Sequence, residues 1–507
     1  MQTFAPAIEL RGLTKTFGPV VANRDIDLTL RYGEILALLG ENGSGKTTLM
    51  NMLSGLYAPD SGSIAVGGKP AQIRSPRDAQ ALGIGMIHQH FKLVEMLTVE
   101  ENIVLGTPKM RGGGAAVRAI EELSARFGLA VDPSRKVHTL SVGEKQTVEI
   151  LKVLYRGSRI LILDEPTAVL TPQEIDKLFD ILRRMRAEGC AVIIITHKLN
   201  EVLAISDRVA MLRKGESVAT VNTKTACAQQ LTELMVGRAV DLSIERPGAE
   251  KASGVLEVLC LTVPGRDRPK ALDDVSFSLA GGEILGVAGV AGSGQKELCE
   301  AIAGLHAVTS GSILHQGVDL SGLSPREIIA RGVSMSFIPE DRLGMGLVGG
   351  MGMVDNMLLK SYHDQRGPLL DRKPAEALSK QLIERLEIST PGVWTPVRRL
   401  SGGNVQKVLL GREIASGPRI LITAYPVRGL DINSSMTIYR LLNEQKQRGV
   451  AILYIGEDLD VLLELCDRIL VLCGGRVTGI ADARAVNKQQ IGLMMTGATL
   501  EEATQNA

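Results

Sequence analysis

The amino-acid sequence predicts an α/β fold laid down twice in tandem, and three observations carry that expectation. The first is an internal repeat: residues 33–49 (GEILALLGENGSGKTTL) match 282–298 (GEILGVAGVAGSGQKEL), and residues 140–152 (LSVGEKQTVEILK) match 400–412 (LSGGNVQKVLLGR). The second is patterning. Short apolar runs such as EILALLG, RILILD and AVIIIT alternate with longer helical patterns such as TPQEIDKLFDILRRMRAEG at 171–189, as buried parallel strands alternate with crossover helices. The third is size: 507 residues, 45% of them apolar and 22% charged, exceed what one hydrophobic core organises.

The repeat places the first domain at 7–242, a linker of mixed charge at 243–254, the second domain at 255–500 and a tail at 501–507. The offset between copies grows from 249 to 260 along the chain, and the glycine-rich stretch 344–352 (GMGLVGGMG) is expected to hold the 11 extra residues. With 57 basic against 56 acidic side chains, the net charge of +1 gives no overall field to hold nucleic acid or an anionic membrane. No apolar run approaches the ~20 residues a bilayer requires. The opening MQTFAPAIELRG lacks a basic start and an apolar run, so no signal peptide is expected and the chain is expected to stay in the cytosol. Cys190, Cys227, Cys260, Cys299, Cys466 and Cys473 form no CxxC pair and are expected to be reduced core thiols.

Gly40-Glu41-Asn42-Gly43-Ser44-Gly45-Lys46-Thr47 is a complete G-x-x-x-x-G-K-[ST] phosphate loop, set between a strand and a helix. Glycines there let backbone N–H groups turn toward phosphate oxygens. Lys46 neutralises β/γ charge, and the Thr47 hydroxyl can ligate Mg2+. About 120 residues further on, the apolar strand at 160–163 ends in Asp164 and Glu165, one acid to hold a hydrated metal and one to activate water. A third strand, at 193–196, leads to His197, which could touch a γ-phosphate or be a satisfied structural histidine.

These residues resemble the ATP-binding-cassette family over nearly the whole chain, twice. The resemblance implies two nucleotide-binding domains of the P-loop NTPase fold, each with a helical subdomain. Family patterns map onto Gly40 to Thr48 as the phosphate loop, Gln89 as the coupling-loop glutamine, Ser141-Val142-Gly143-Glu144 as a signature and His197 as the switch histidine. Phe17 fits either an aromatic that stacks on adenine or a core phenylalanine. The second copy departs wherever chemistry is needed: Gln295 replaces Lys46, Lys296 replaces Thr47, Ala424 and Tyr425 replace Asp164 and Glu165, Glu457 replaces His197 and Glu340 replaces Gln89. Its signature, Ser401-Gly402-Gly403-Asn404 followed by Gln406, is the better formed. In family dimers each signature completes the other cassette's site. The resemblance therefore implies one competent ATP site, served by Ser401, Gly402, Gly403 and Gln406, and either one degenerate site facing Ser141 or a second copy that keeps only a dimer-shaped platform with no nucleotide.

PEDR at 339–342 and LSGGN in the second half are similar to the ATP-binding subunits of monosaccharide importers, while His90-Phe91 after Gln89 is more similar to a nucleoside-uptake branch. This resemblance implies an ATPase with Mg2+, working at the cytoplasmic face of a bacterial membrane beside two transmembrane permease subunits and, indirectly, a solute-binding lipoprotein or periplasmic protein. Phe91, Leu93 and Met96 are expected either to meet a permease helix or to sit within a helical subdomain. The alternative, a soluble twin-cassette ATPase acting on ribosome or DNA, lacks a long charged linker and a basic stripe to support it.

Overall fold

The computed structural model describes residues 6–89, 91–107, 114–168, 170–196, 198–237, 243–248, 252–265, 269–365 and 369–505. His90 and His197 lie outside them. The chain forms two compact units, Met1–Asp241 and Leu242–Ala507.

In the first unit the strands Ile35–Leu39, Ala191–Ile195, Ile160–Asp164, Ile84–Ile87 and Arg208–Arg213 are parallel, and Glu216–Asn222 closes one edge as an antiparallel hairpin. The central runs ILALL and AVIII are buried at every position, as strands covered on both faces must be. One face of this sheet shares a core with a four-stranded antiparallel sheet built on the hairpin Pro6–Phe17 and Val20–Arg31. The other face packs against helices, among them the helical-subdomain segments Val99–Val104, Gly114–Phe127 and Val142–Tyr155. The helix expected at 171–189 is Pro172–Ala187. Thr171 caps it through a reciprocal box with Glu174, and Pro172 stands where an N–H is dispensable.

Across the first sheet the order is Glu216–Asn222, Arg208–Arg213, Ile35–Leu39, Ala191–Ile195, Ile160–Asp164 and Ile84–Ile87, and the second unit repeats it with Arg476–Asp482, Arg468–Cys473, Ile284–Gly289, Ala451–Ile455, Ile420–Ala424 and Met335–Ile338. Its antiparallel sheet again has four strands.

Three expectations need correction. The strand Ala252–Pro264 begins inside the stretch read as linker, because it pairs with Lys270–Gly281 from its first residue. Upstream of it, Arg246 donates to the carbonyls of Leu463 at 3.0 Å and Cys466 at 2.7 Å, holding that part of the linker on the second unit. The extra residues are not confined to the glycine-rich stretch. Gln89 to Val99 is 10 residues and Glu340 to Met353 is 13, so only three fall there; others lengthen the helix Met353–Ser361 to nine residues against six in Val99–Val104. Finally, Cys190, Cys299 and Cys466 are buried, but Cys227 and Cys260 are exposed. No described helix is long and apolar enough to cross a membrane.

Candidate functional site

The phosphate loop of the first cassette leaves the buried strand Ile35–Leu39 at Gly40 and enters the helix Lys46–Leu53. Gly45 caps that helix at φ +96, and a Cβ there would come within 2.4 Å of the Ala22 carbonyl, so only glycine lets the loop lie against the neighbouring hairpin. Asn23, fully buried on that hairpin, donates its amide to the Gly45 carbonyl at 3.2 Å. Lys46 Nζ donates to the carbonyls of Gly40 at 2.7 Å and Glu41 at 2.9 Å. A phosphate would offer it stronger, charged acceptors. Ser44 is buried; Thr47 is exposed and Thr48 half-buried on the first helical turn.

Asp164 ends the strand Ile160–Asp164, and Glu165 follows at φ +46, a left-handed conformation uncommon outside glycine. The Glu165 N–H donates to the Ile195 carbonyl at 2.9 Å. Gln89 Nε2 donates to Glu165 Oε2 at 3.0 Å, so the glutamine expected to couple and the carboxylate expected to activate water are in contact. Burial lowers the pKa of Lys46, against the pull of Glu165, Asp164 and Glu41. Burial raises that of Asp164, helped by Glu165 and opposed by His88 and Lys46.

Asp164, the Thr47 hydroxyl and the Gln89 side-chain oxygen are hard oxygen donors. One carboxylate with neutral oxygens suits Mg2+ shared with substrate phosphates rather than caged by protein. The raised pKa of Asp164 fits as well, because a cation beside that carboxylate reverses the cost of its burial. Mg2+ bound there would neutralise charge on the β- and γ-phosphates.

Phe17 is 42% exposed at the hairpin tip and meets Tyr57 edge-to-face at 5.2 Å. It is therefore not a core residue, and Tyr57 is a neighbour that no sequence spacing announced. Of the loop after Gln89, Met96 is 68% and Val94 45% exposed, whereas Leu93 packs into the helical-subdomain core and Phe91 is half-buried.

The two signatures differ in how their helices begin. Ser141 caps Val142–Tyr155 in a reciprocal box with Glu144, which also pairs with Arg135 at 2.6 Å. Ser401 precedes Gly402–Ala415 without capping it; its hydroxyl accepts from Asn404 Nδ2 at 2.8 Å. Gly403 is buried under Ser434, whose Oγ would lie 2.7 Å from a Cβ. Gln406 is also buried, at 1% exposure, unlike the exposed Ser401 and Gly402. That places its side chain away from the surface a nucleotide could reach, contrary to the contact expected for it.

In the second cassette the loop backbone persists without its chemistry. Gly292 and Gly294 keep φ +84 and +106, beside +79 and +96 at Gly43 and Gly45. Gln295 is buried and donates to the Val290 carbonyl at 3.2 Å, one of the bonds Lys46 makes in the first copy. Lys296 points to Glu300 at 3.8 Å. Tyr425 has φ +51, close to that of Glu165, and burial pushes its hydroxyl pKa up. Glu340 and Glu457 both pair with Arg428, a cation where the first copy has the neutral Ala168.

A twice-repeated parallel sheet with a phosphate loop at one strand end is the fold of P-loop nucleotide hydrolases. The chain belongs to the ABC transporter family, whose model matches residues 23–168 and 272–426, and it is an ABC-type ATPase. It is 42% identical to the nucleoside import ATP-binding protein NupA of Lactococcus lactis subsp. cremoris, over 98% of this chain and 99% of that one. It is equally 42% identical to the ribose import ATP-binding protein RbsA 1 of Rubrobacter xylanophilus, over 97% and 98%. Among solved structures, an archaeal ribosome recycling factor, aABCE1, in complex with the ribosomal stalk protein aP1, matches with TM-score 0.61 at 18% identity, over 94% of this chain and 90% of that one. At that identity the likeness concerns the fold alone.

Proposed function

We propose that this chain is the ATP-hydrolysing subunit of an importer for nucleosides or simple sugars, working peripherally at the cytoplasmic face of a bacterial membrane against permease subunits that receive solute from a separate binding protein. The observation that carries the reading is the contrast between copies: in the first cassette Gln89 bonds Glu165, and Lys46 feels the charges of Glu165 and Asp164, with Thr47 next to it in the chain, while every counterpart in the second is replaced. Glu165 is the general base, Gln89 senses the γ-phosphate through it, Phe17 is the adenine platform, and Ser401, Gly402 and Gly403 take part in turnover. His197 keeps the switch role that the family resemblance gives it. Equal identity to nucleoside and ribose relatives favours neither solute class.

The permease would meet the first cassette at a cleft of about 300 Å³ lined by Ser54, Leu56, Gln80, His88 and Lys92 and at Val94 and Met96, which are exposed a few residues along the chain from Lys92. The test is ATP hydrolysis by the full transporter carrying Glu165→Gln. Loss of a positioned base costs roughly 10² to 10⁴ in rate, and ATP should stay bound. Turnover near wild type would mean that the second cassette hydrolyses.

A further inference from the structure

The run Pro339-Glu340-Asp341-Arg342 is singled out by sequence and left unused by the ATP chemistry, yet each of its polar side chains is engaged. Asp341 caps a single π-helical turn, Arg342–Gly346, accepting from the Gly344 N–H at 2.8 Å. A Cβ at residue 344 would collide with that carboxylate at 2.0 Å. Glu340 pairs with Arg428 Nη1, and Arg428 Nε lies 3.1 Å from Glu457. The same guanidinium sits 5.8 Å from the centre of the Tyr425 ring. Arg342 Nη2 donates to the Arg428 carbonyl, and its Nη1 reaches the Gly402 carbonyl at 3.5 Å.

This chain of contacts runs from the position of the switch histidine, through that of the coupling glutamine, to the first residue of the second signature helix. The first cassette cannot form it, because Phe91 and Ala168 stand where the second has Arg342 and Arg428. The signatures follow suit. A Cβ at residue 402 would lie 3.3 Å from Arg342 Nη1, a crowding that glycine avoids and that Val142 never meets. Helix Val142–Tyr155 is fixed by its own capping box, whereas no described side chain caps Gly402–Ala415.

We propose that Arg342 and Arg428 form a clamp, braced by Glu340 and Glu457, that holds the second signature in place from outside its helix, so that both arginines are positioning residues for ATP turnover. The proposal rests on the reading that Ser401 takes part in turnover. The clamp supplies from a neighbouring loop the rigidity that a capping side chain supplies to the first signature, and it leaves the first-turn N–H groups of Gly402–Ala415 without a side-chain cap. Exposed ion pairs taken singly shift an equilibrium by a small factor. Members of one network fail together, so removing either arginine should cost what removing both costs.

The experiment uses the full chain co-purified with its permease subunits and carrying Arg342→Ala, Arg428→Ala, both together, Arg428→Lys or Ser401→Ala. ATP turnover is measured as kcat and KM, and hydrogen exchange is followed at residues 402–404 and 142–144. Each arginine-to-alanine variant should lower kcat roughly tenfold with KM little changed. The double variant should match the singles, and Arg428→Lys, which keeps the charge but not the fork that spans Glu340 and Glu457, should recover turnover only in part. Exchange should rise at 402–404 and stay constant at 142–144. Unchanged exchange at 402–404, or losses that multiply in the double variant, would overturn the clamp even while Ser401→Ala abolishes turnover. Wild-type turnover in Ser401→Ala would instead overturn the assignment of Ser401, and with it the clamp's catalytic purpose, while faster exchange in Arg342→Ala would still mark the contact as real.

Discussion

Asp164 carries a conflict that a cation bound beside it would resolve: its carboxyl is pushed up by burial and by the adjacent Glu165, with Lys46 and His88 offsetting only part. An acid whose folded pKa is raised favours the folded state below its unfolded pKa and loses that contribution as pH rises through the folded value. Asp164→Asn removes this liability. In the nucleotide-free, metal-free chain it should raise the melting temperature of the first cassette by a few degrees at neutral pH. The gain should shrink toward zero as pH falls below the usual carboxylate range, while Mg2+-dependent hydrolysis is lost at every pH. Calorimetry across pH checks this, and a gain that grows on acidification has the wrong sign. At this scale the sequence was a good guide to identity and a poor one to environment. The P-loop, Asp164 and Glu165 were legible because their spacing is their mechanism. Tyr57 beside Phe17, the burial of Gln406 and the arginines at 342 and 428 depend on contacts between distant segments, which no local pattern encodes.

The paired signature helices show how one motif can be built two ways. Ser141 spends its hydroxyl on a backbone N–H; Ser401 does not. Ser141→Ala should therefore cost the first cassette about 1 kcal/mol of stability, the usual value of an N-cap, and leave turnover nearly intact. Ser401→Ala should leave thermal stability nearly unchanged and depress turnover. Denaturation curves and ATPase rates measured on both variants check the crossover, and equal profiles would show that capping geometry does not separate the two serines. Elements themselves were readable wherever period and length were decisive: ILALL, ILIL and AVIII could only be buried strands. The start of the strand Ala252–Pro264 was hidden because it opens with a glycine-containing, weakly patterned stretch whose extended form comes from pairing with Lys270–Gly281.

Across the whole molecule, the repeat fixed the two-unit organisation because self-similarity is independent of any propensity scale. The placement of its extra residues failed because helix length in the second helical subdomain is set by packing. The exposed pair Val94 and Met96 offers the strongest test at this scale. Changing both to Asp should reduce solute-stimulated hydrolysis on the order of tenfold in the transporter, since interface anchors tolerate charge poorly. ATP binding by the isolated chain should survive, and unaltered stimulation would move the permease contact elsewhere. A last consequence follows from the left-handed turn that Glu165 and Tyr425 share at φ +46 and +51. The second cassette holds the exit of its strand Ile420–Ala424 in the shape found after Ile160–Asp164, although a phenol now occupies it. An attempt to restore activity there would start from exchanged side chains on that turn, with Arg428 giving way to alanine so that a restored glutamine and histidine would not face an internal cation. The shared turn thus leaves the second copy a backbone bend that new side chains could occupy without its being reshaped.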